Sequence, residues 1–414
     1  MSERIVYMSK RIIALICFLA ILVAVFASGC QNKPSDSIAI KDAVNIIEVS
    51  HKASDYSDFA VNLLKSCYDN EGNTLVSPLS VVMALAMASE GAQGNTLKEL
   101  EDAIGMDMDS LRAFAYSYMS EKVKGGKLSV SNSVWVNKKL QDFYVNEDFI
   151  KINEDFYSAE VFESVFSEET VDAINKWVCD NTDGMIPEII KTLDKDTVMV
   201  LVNALLFDAD WSEPYSENQV SEGEFITEDK KTEKAQFLSN MEGCYLEDEN
   251  SKGFLKYYEG FEFAFAALLP DEGLSMEEYV RSLDGEKIKN ILENKVDCAV
   301  NTKLPKFEAD FTASLNDALK AMGIEKAFDI EKADFSKLGE ITDGNIYVGE
   351  VAHSTKISVT ETGTKAGAAT AVTFKGYGAP MNPKEVNLDR PFVYMIVDTD
   401  NNTPIFMGTL MSVG

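Results

Sequence analysis

A chain of 414 residues is longer than one average domain. Its 38 basic and 68 acidic residues leave a net charge of −30, which argues against nucleic acid and heparin-like polyanions, because these need a basic face. Six widely spaced cysteines with no CxxC pair argue against zinc and thioredoxin-like roles.

Residues 1–30 read as a targeting segment. Lys10 and Arg11 precede an apolar run from Ile12 to Phe26, and Ala27-Ser28-Gly29-Cys30 follows. A basic flank, a short apolar core and small residues before a cleavage point make a secretory signal. Cys30 after Ser-Gly resembles a bacterial lipobox, with Ala27 where Leu is commoner. Cys30 would then carry lipid and anchor an exported protein to the cell membrane, facing outside. A plain signal peptide and an uncleaved anchor are the alternatives, and Met8 is an alternative start. Residues 31–53 form a polar tether with Pro34, Ser35 and Ser37. Cys67, Cys179, Cys244 and Cys298 are expected as buried free thiols.

A folded domain is expected over 54–414. Asp55 to Tyr68 has a helical period, with Phe59, Leu63 and Leu64 on one side. Ser77-Pro78 supplies a cap and first position for an apolar helix ending near Gly91. Thr96 and Glu99 have capping-box spacing for the next helix, which stops at Gly105. Asp109 to Lys124 is helical, and Lys122, Lys124 and Lys127 read as its solvated end. Leu128 to Val136 alternates like a strand, and Thr197 to Phe207 is a nearly continuous apolar run, as in a strand buried on both faces. A strand is predicted over Ile346 to Thr360. The last two strands are Phe392 to Asp398 and Pro404 to Leu410. The turn between them, Asp398-Thr399-Asp400-Asn401-Asn402, begins like a calcium loop but lacks the Gly and the closing Glu, so it reads as a hairpin.

Enzymatic parts are missing. His51 and His353 are the two histidines, and no Gly-x-Ser-x-Gly, HExxH or P-loop occurs. Neither catalysis, a cofactor nor a metal is expected.

The stretch from Ser358 to Phe392 is the unusual one. Thr364, Ala366, Ala368, Thr370, Val372 and Phe374 alternate with Lys365, Gly367, Ala369, Ala371, Thr373 and Lys375. That is the period of a half-buried strand, in residues that make poor strands alone. The Gly- and Pro-rich second half marks an exposed loop. By composition the segment suits a flexible connector as well as a strand waiting for a sheet.

Glu361-Thr362-Gly363-Thr364-Lys365-Ala366-Gly367-Ala368-Ala369-Thr370-Ala371 resembles the hinge of a serpin reactive-centre loop. Asp389-Arg390-Pro391-Phe392 resembles the block beyond it, and the run from Asn73 to Thr96 resembles the family's N-terminal signature. Ile174-Asn175-Lys176-Trp177-Val178, Trp211 to Tyr215, Leu304 to Phe307 and Leu319 to Ile324 extend the match in order from about Ser54 to Gly414.

The resemblance implies an α+β serpin fold with three β-sheets, about eight or nine helices and a reactive-centre loop over about 361–385. It also implies a monomeric, irreversible suicide-substrate inhibitor of serine, or else cysteine, endopeptidases. Glu361, Gly363, Thr364, Ala366, Ala368, Ala369 and Thr370 would form the hinge. Ser77, Ser80, Asn203 and His353 would form a buried polar shutter where the sheet opens, and Trp211 and Lys306 a breach where the loop enters, with a Lys306–Glu361 pair. The scissile bond would be Tyr377–Gly378, suiting a chymotrypsin- or subtilisin-like protease, or Lys375–Gly376, suiting a trypsin-like one. Lys365 departs from the family's acidic preference at a position that alternation turns outward. Pro is absent from Gly363 to Tyr377, where it would remove a ladder hydrogen bond. The alternatives are a non-inhibitory serpin-fold binding module on the cell surface and a structural or adhesion lipoprotein.

Overall fold

The computed structural model describes residues 41–42, 52, 54–122, 126–138, 143–194, 197–342, 344–364 and 382–414. The two-residue β1 (Lys41–Asp42) precedes α1 (Tyr56–Cys67). Asp55 caps α1, its side chain accepting from the amides of Ser57 and Asp58. After β2 (Thr74–Val76), Ser77 caps α2 (Pro78–Gly91) by accepting the amide of Ser80. Helix α3 (Gly94–Ile104) starts two residues before the expected cap. Gln93 holds the cap position, and Gly94 turns the chain at φ +55°. The Thr96 hydroxyl is taken by the amide of Asp334, and Glu99 accepts the amides of Glu325 and Lys326. Tertiary contacts thus consume the capping pair. Gly105 closes α3 in the left-handed region, as expected.

Helix α4 (Met108–Ser117) runs into a π-helical turn, Tyr118–Lys122. Its end is not solvated. Lys122 is 14% exposed and pairs with Asp398 at 3.0 Å and Asp400 at 2.6 Å. Asp398 is fully buried and also accepts the Tyr118 hydroxyl. The carboxylates of the expected hairpin turn are answered by this lysine. No cluster of His, Cys, Asp and Glu suited to a metal occurs among the described residues.

Then come β3 (Leu128–Asn137), β4 (Phe143–Val145), α5 (Glu147–Tyr157), β5 (Glu160–Ser164), α6 (Glu168–Asn181), β6 (Met199–Phe207) and β7 (Ala209–Asp210). The hairpin β8 (Val220–Ile226) and β9 (Thr232–Glu247) leads to β10 (Ser251–Tyr257), β11 (Phe263–Pro270), α7 (Met276–Ser282) and α8 (Gly285–Glu293). β12 (Val296–Pro305), β13 (Phe307–Ser314), α9 (Asn316–Ala321), β14 (Gly339–Ile341) and β15 (Ala352–Val359) follow. The predicted strand over 346–360 is therefore shorter, because the backbone pairs with β13 only from Ala352 to Val359. The chain ends with β16 (Gly363–Thr364), β17 (Lys384–Asn387), β18 (Phe392–Asp398) and β19 (Thr403–Leu410).

The mixed α+β architecture matches the expectation, with nine α-helices among the described residues. The sheets divide differently from three. A nine-stranded sheet has the order β17-β12-β9-β10-β11-β18-β19-β2, with β8 also on β9. The 16-residue β9 causes the merger, pairing β8 and β12 along most of its length and β10 at its end. The remaining large sheet lies in two blocks, β1-β13-β15-β16-β7 and β5-β3-β6, beside a two-stranded ribbon of β14 and β4. Only Asp208 separates β6 from β7 in the chain, so the blocks meet there. Among the described residues no ladder joins β6 to β15. One large core fills the body. A smaller one, with Trp135, Val202 and Ala204 against Ile174, Trp177 and Val178, seats α6 on the β3–β6 block.

Cys67 and Cys244 are buried free thiols and Cys298 a half-buried one. Burial pushes the Cys67 thiol up to about 12 and that of Cys244 to about 11, so neither is a ready nucleophile. Cys179 departs from the expected free thiol: it is disulfide-bonded.

Candidate functional site

Two polar clusters involve β6, β7 and β15, and among the described residues no ladder joins β6 to β15. At the Trp211 end, the backbone of the hinge is already gripped. Gly363 pairs with Asp210, and Thr364 pairs with Ala209 on one side and Val359 on the other. The short β16 thus closes the sheet at this end. Trp211 is buried. It donates its backbone N–H to the Thr362 carbonyl at 2.8 Å and its indole Nε1–H to the Thr360 carbonyl at 2.9 Å. Tyr215 donates its N–H to the Glu361 carbonyl, also at 2.8 Å. The consecutive carbonyls of Thr360, Glu361 and Thr362 are therefore satisfied by one segment, as buried backbone requires.

Gly363 has no room for a side chain. A Cβ there would lie 2.2 Å from the Ala209 carbonyl oxygen. The Thr364 side chain is buried and its hydroxyl meets that of Tyr258 at 2.5 Å. Tyr258 in turn stacks on Trp211, with centroids 4.4 Å apart. Lys306 and Glu361 form an ion pair at 2.7 Å. The ammonium holds the Glu361 carboxyl below its ordinary range.

At the other cluster, His353 is buried on β15 and its Nε2 accepts the backbone N–H of Ser77 at 3.2 Å. Burial pushes its pKa down to about 4, so the ring is neutral at physiological pH. The Ser77 hydroxyl donates to the Ile405 carbonyl while accepting the Ser80 amide. Asn203 faces a different partner. Its amide donates to Asn132 Oδ1 at 2.9 Å, and Asn132 donates to the Tyr157 carbonyl. The Asn203 Oδ1 is buried without a partner among the described residues. Ser77 and His353 are thus brought together, with Ser80 at the same helix start, while Asn203 is tied to its own side.

Ala366, Ala368, Ala369, Thr370, Lys375, Gly376, Tyr377, Gly378 and Cys30 lie outside the described residues. Sequence reading missed Asn132, Tyr258 and Lys256. The available signal was Lys256 itself, a lone cation in Phe254-Leu255-Lys256-Tyr257-Tyr258.

A family model described as Serpin (serine protease inhibitor) matches residues 54–413. The chain belongs to the serpin family. It is 32% identical over 368 residues to an uncharacterized serpin-like protein of Thermococcus kodakarensis, covering 86% of this chain and 84% of that one. It is 29% identical over 375 residues to the leukocyte elastase inhibitor of Equus caballus, covering 86% and 97%. The crystal structure of the thermophilic serpin tengpin in the native state matches with a TM-score of 0.81 and 38% identity, over 90% of this serpin and all of that chain. At the level of the family, serpins are known as protease inhibitors rather than catalysts.

Proposed function

We propose that this serpin is a suicide-substrate inhibitor of serine endopeptidases. The carrying observation is that Gly363–Thr364 already lies in ladder register between β7 and β15. Continuing both registers by steps of two sets Ala366 against Phe207 and Ile357, then Ala368 against Leu205 and Thr355. Thr370 falls against Asn203 and His353. The inward set is small and uncharged, as entry into a packed sheet demands. On insertion the hydroxyl of Thr370 would come near Asn203 Oδ1, which is unpartnered among the described residues.

The chemistry belongs to the protease. Its serine oxygen bonds to the carbonyl carbon of Tyr377, the Tyr377–Gly378 bond breaks, and the Gly378 amine leaves with the proton. The freed hinge then adds as a strand and carries the ester-linked protease away before water can attack. Lys375–Gly376 is the competing bond. Cys30 would hold the chain to the outer face of a membrane. Mass analysis of Cys30 tests for the lipid adduct.

The test is incubation of the chain from Gln31 with chymotrypsin, subtilisin and trypsin separately. Denaturing gels and intact mass then read the products. The expected result is a denaturant-stable complex with chymotrypsin or subtilisin and release of a peptide beginning at Gly378. A peptide beginning at Gly376 moves the bond to Lys375. Cleavage without complex and without a gain in thermal stability sinks the inhibitor reading and favours a binding module.

A further inference from the structure

Lys256 is the most enclosed cation in the vicinity of the hinge. It sits on β10, 1% exposed. A buried ammonium needs every donor answered, or it costs stability heavily. Here each direction has a partner. Its Nζ pairs with Glu242 at 2.8 Å and donates to the Glu213 carbonyl at 3.1 Å. It also stands 4.2 Å from the Tyr215 ring centroid and 5.4 Å from that of Trp211.

Those partners are not scattered. Trp211, Glu213 and Tyr215 belong to the single segment whose amides hold the carbonyls of Thr362 and Glu361. Among the described residues, the polar partners of Lys256 are Glu242 and Glu213 rather than hinge residues. It fixes both aromatic residues and the carbonyl between them. An apolar residue could fill the volume, but it would supply neither the bond to Glu213 nor the attraction to two ring faces. A compact ammonium also suits three unlike partners better than the planar fork of arginine does.

We propose that Lys256 is a positioning residue for loop insertion, holding the Trp211–Tyr215 segment so that its amides meet the incoming hinge backbone. The role deepens the inhibitor reading and rests on it for its kinetic consequence, while its structural consequence can be read without any protease.

The experiment compares wild type, Lys256→Met and Lys256→Arg by residue-resolved hydrogen exchange and by stoichiometry of inhibition. In Lys256→Met, the amides of Trp211 and Tyr215 should exchange about tenfold faster, as local opening without loss of the body allows. Amides of β18 should be unchanged. Several-fold more inhibitor should be cleaved per complex formed, and Lys256→Arg should recover part of both effects. Unchanged exchange at Trp211 and Tyr215 overturns the assignment. So does faster exchange throughout β18, which would make Lys256 a general core residue. Should Lys256→Met fail to fold, Glu242→Gln keeps the shape, removes the counter-charge, and must move the same two amides. A wild type that forms no covalent complex defeats the inhibitor reading, and the exchange result then decides Lys256 alone.

Discussion

At the Trp211 end, Gly363–Thr364 bridges β7 and β15, and the carbonyls of Thr360, Glu361 and Thr362 are held by Trp211 and Tyr215. At the His353 end, each wall keeps its own company: His353 with Ser77, Asn203 with Asn132. One end spends its polar groups on the loop, the other on its own body. Under the proposed inhibitory mechanism, the contrast would give insertion a direction, since strand addition is favourable first where the donors already face the incoming chain. Under the same mechanism the far end would present a threshold, because polar groups there would have to leave existing partners or find new ones.

The sharpest way to break this contrast is Thr364→Arg. The side chain at 364 is buried against Tyr258, and a charge there has no partner. Covalent complex should fall by roughly tenfold or more in favour of cleaved inhibitor, read as stoichiometry on gels. Complex at wild-type yield would mean that this end does not gate insertion.

Next is the pH dependence of the far end. His353 is pushed down to about 4 from its ordinary value near 6.5. A depressed value means that the unfolded chain binds the proton first, so stability is full above about 6.5 and is lost as pH falls toward 4. Between pH 7 and pH 5 this costs about 2 kcal/mol. Denaturant unfolding of wild type and His353→Asn at the two pH values should differ by that amount. Equal slopes with pH would refute it.

Smaller effects belong to the wall that carries Asn203. Asn132→Ala and Asn203→Ala should each destabilise by about 1–2 kcal/mol, because each strands a buried amide. The double variant should cost less than the sum of the two, as a coupled pair requires. Strict additivity would separate the two residues.

The weakest effect is expected at the entry itself. Glu361 and Lys306 are 41% and 27% exposed, so solvent screens their pair. Glu361→Gln should cost only about 0.5 kcal/mol, vanishing in high salt. Its carboxyl is held below the ordinary range, so the wild-type advantage is present above the usual glutamate value and fades as pH falls through the lowered one. A larger loss, insensitive to salt, would make this ion pair a principal contact of the entry region.

Much of this was readable from spacing. The Ser77-Pro78 start of α2, the Gly105 stop of α3, the alternation of β3 and the paired strands β18 and β19 all follow from local chemistry. The small, alternating residues from Thr364 are likewise a property of the chain itself. The capping pair Thr96 and Glu99 went astray because residues more than 200 positions away claimed both side chains. Lys122 looked solvated because nothing local reveals that Asp398, 276 residues on, lies buried beside it.

Local order of side-chain size and charge thus sufficed for many element boundaries, and the ordered set of motifs for the resemblance to the family. Which polar residues meet was left to tertiary packing. Asn203 chooses Asn132 through the register of β3 on β6. Lys256 finds Trp211 and Tyr215 only because β10 brings it against a segment 41 to 45 residues earlier in the sequence. A buried charge or amide must take whatever partner the fold sets beside it, and no sequence separation encodes that choice.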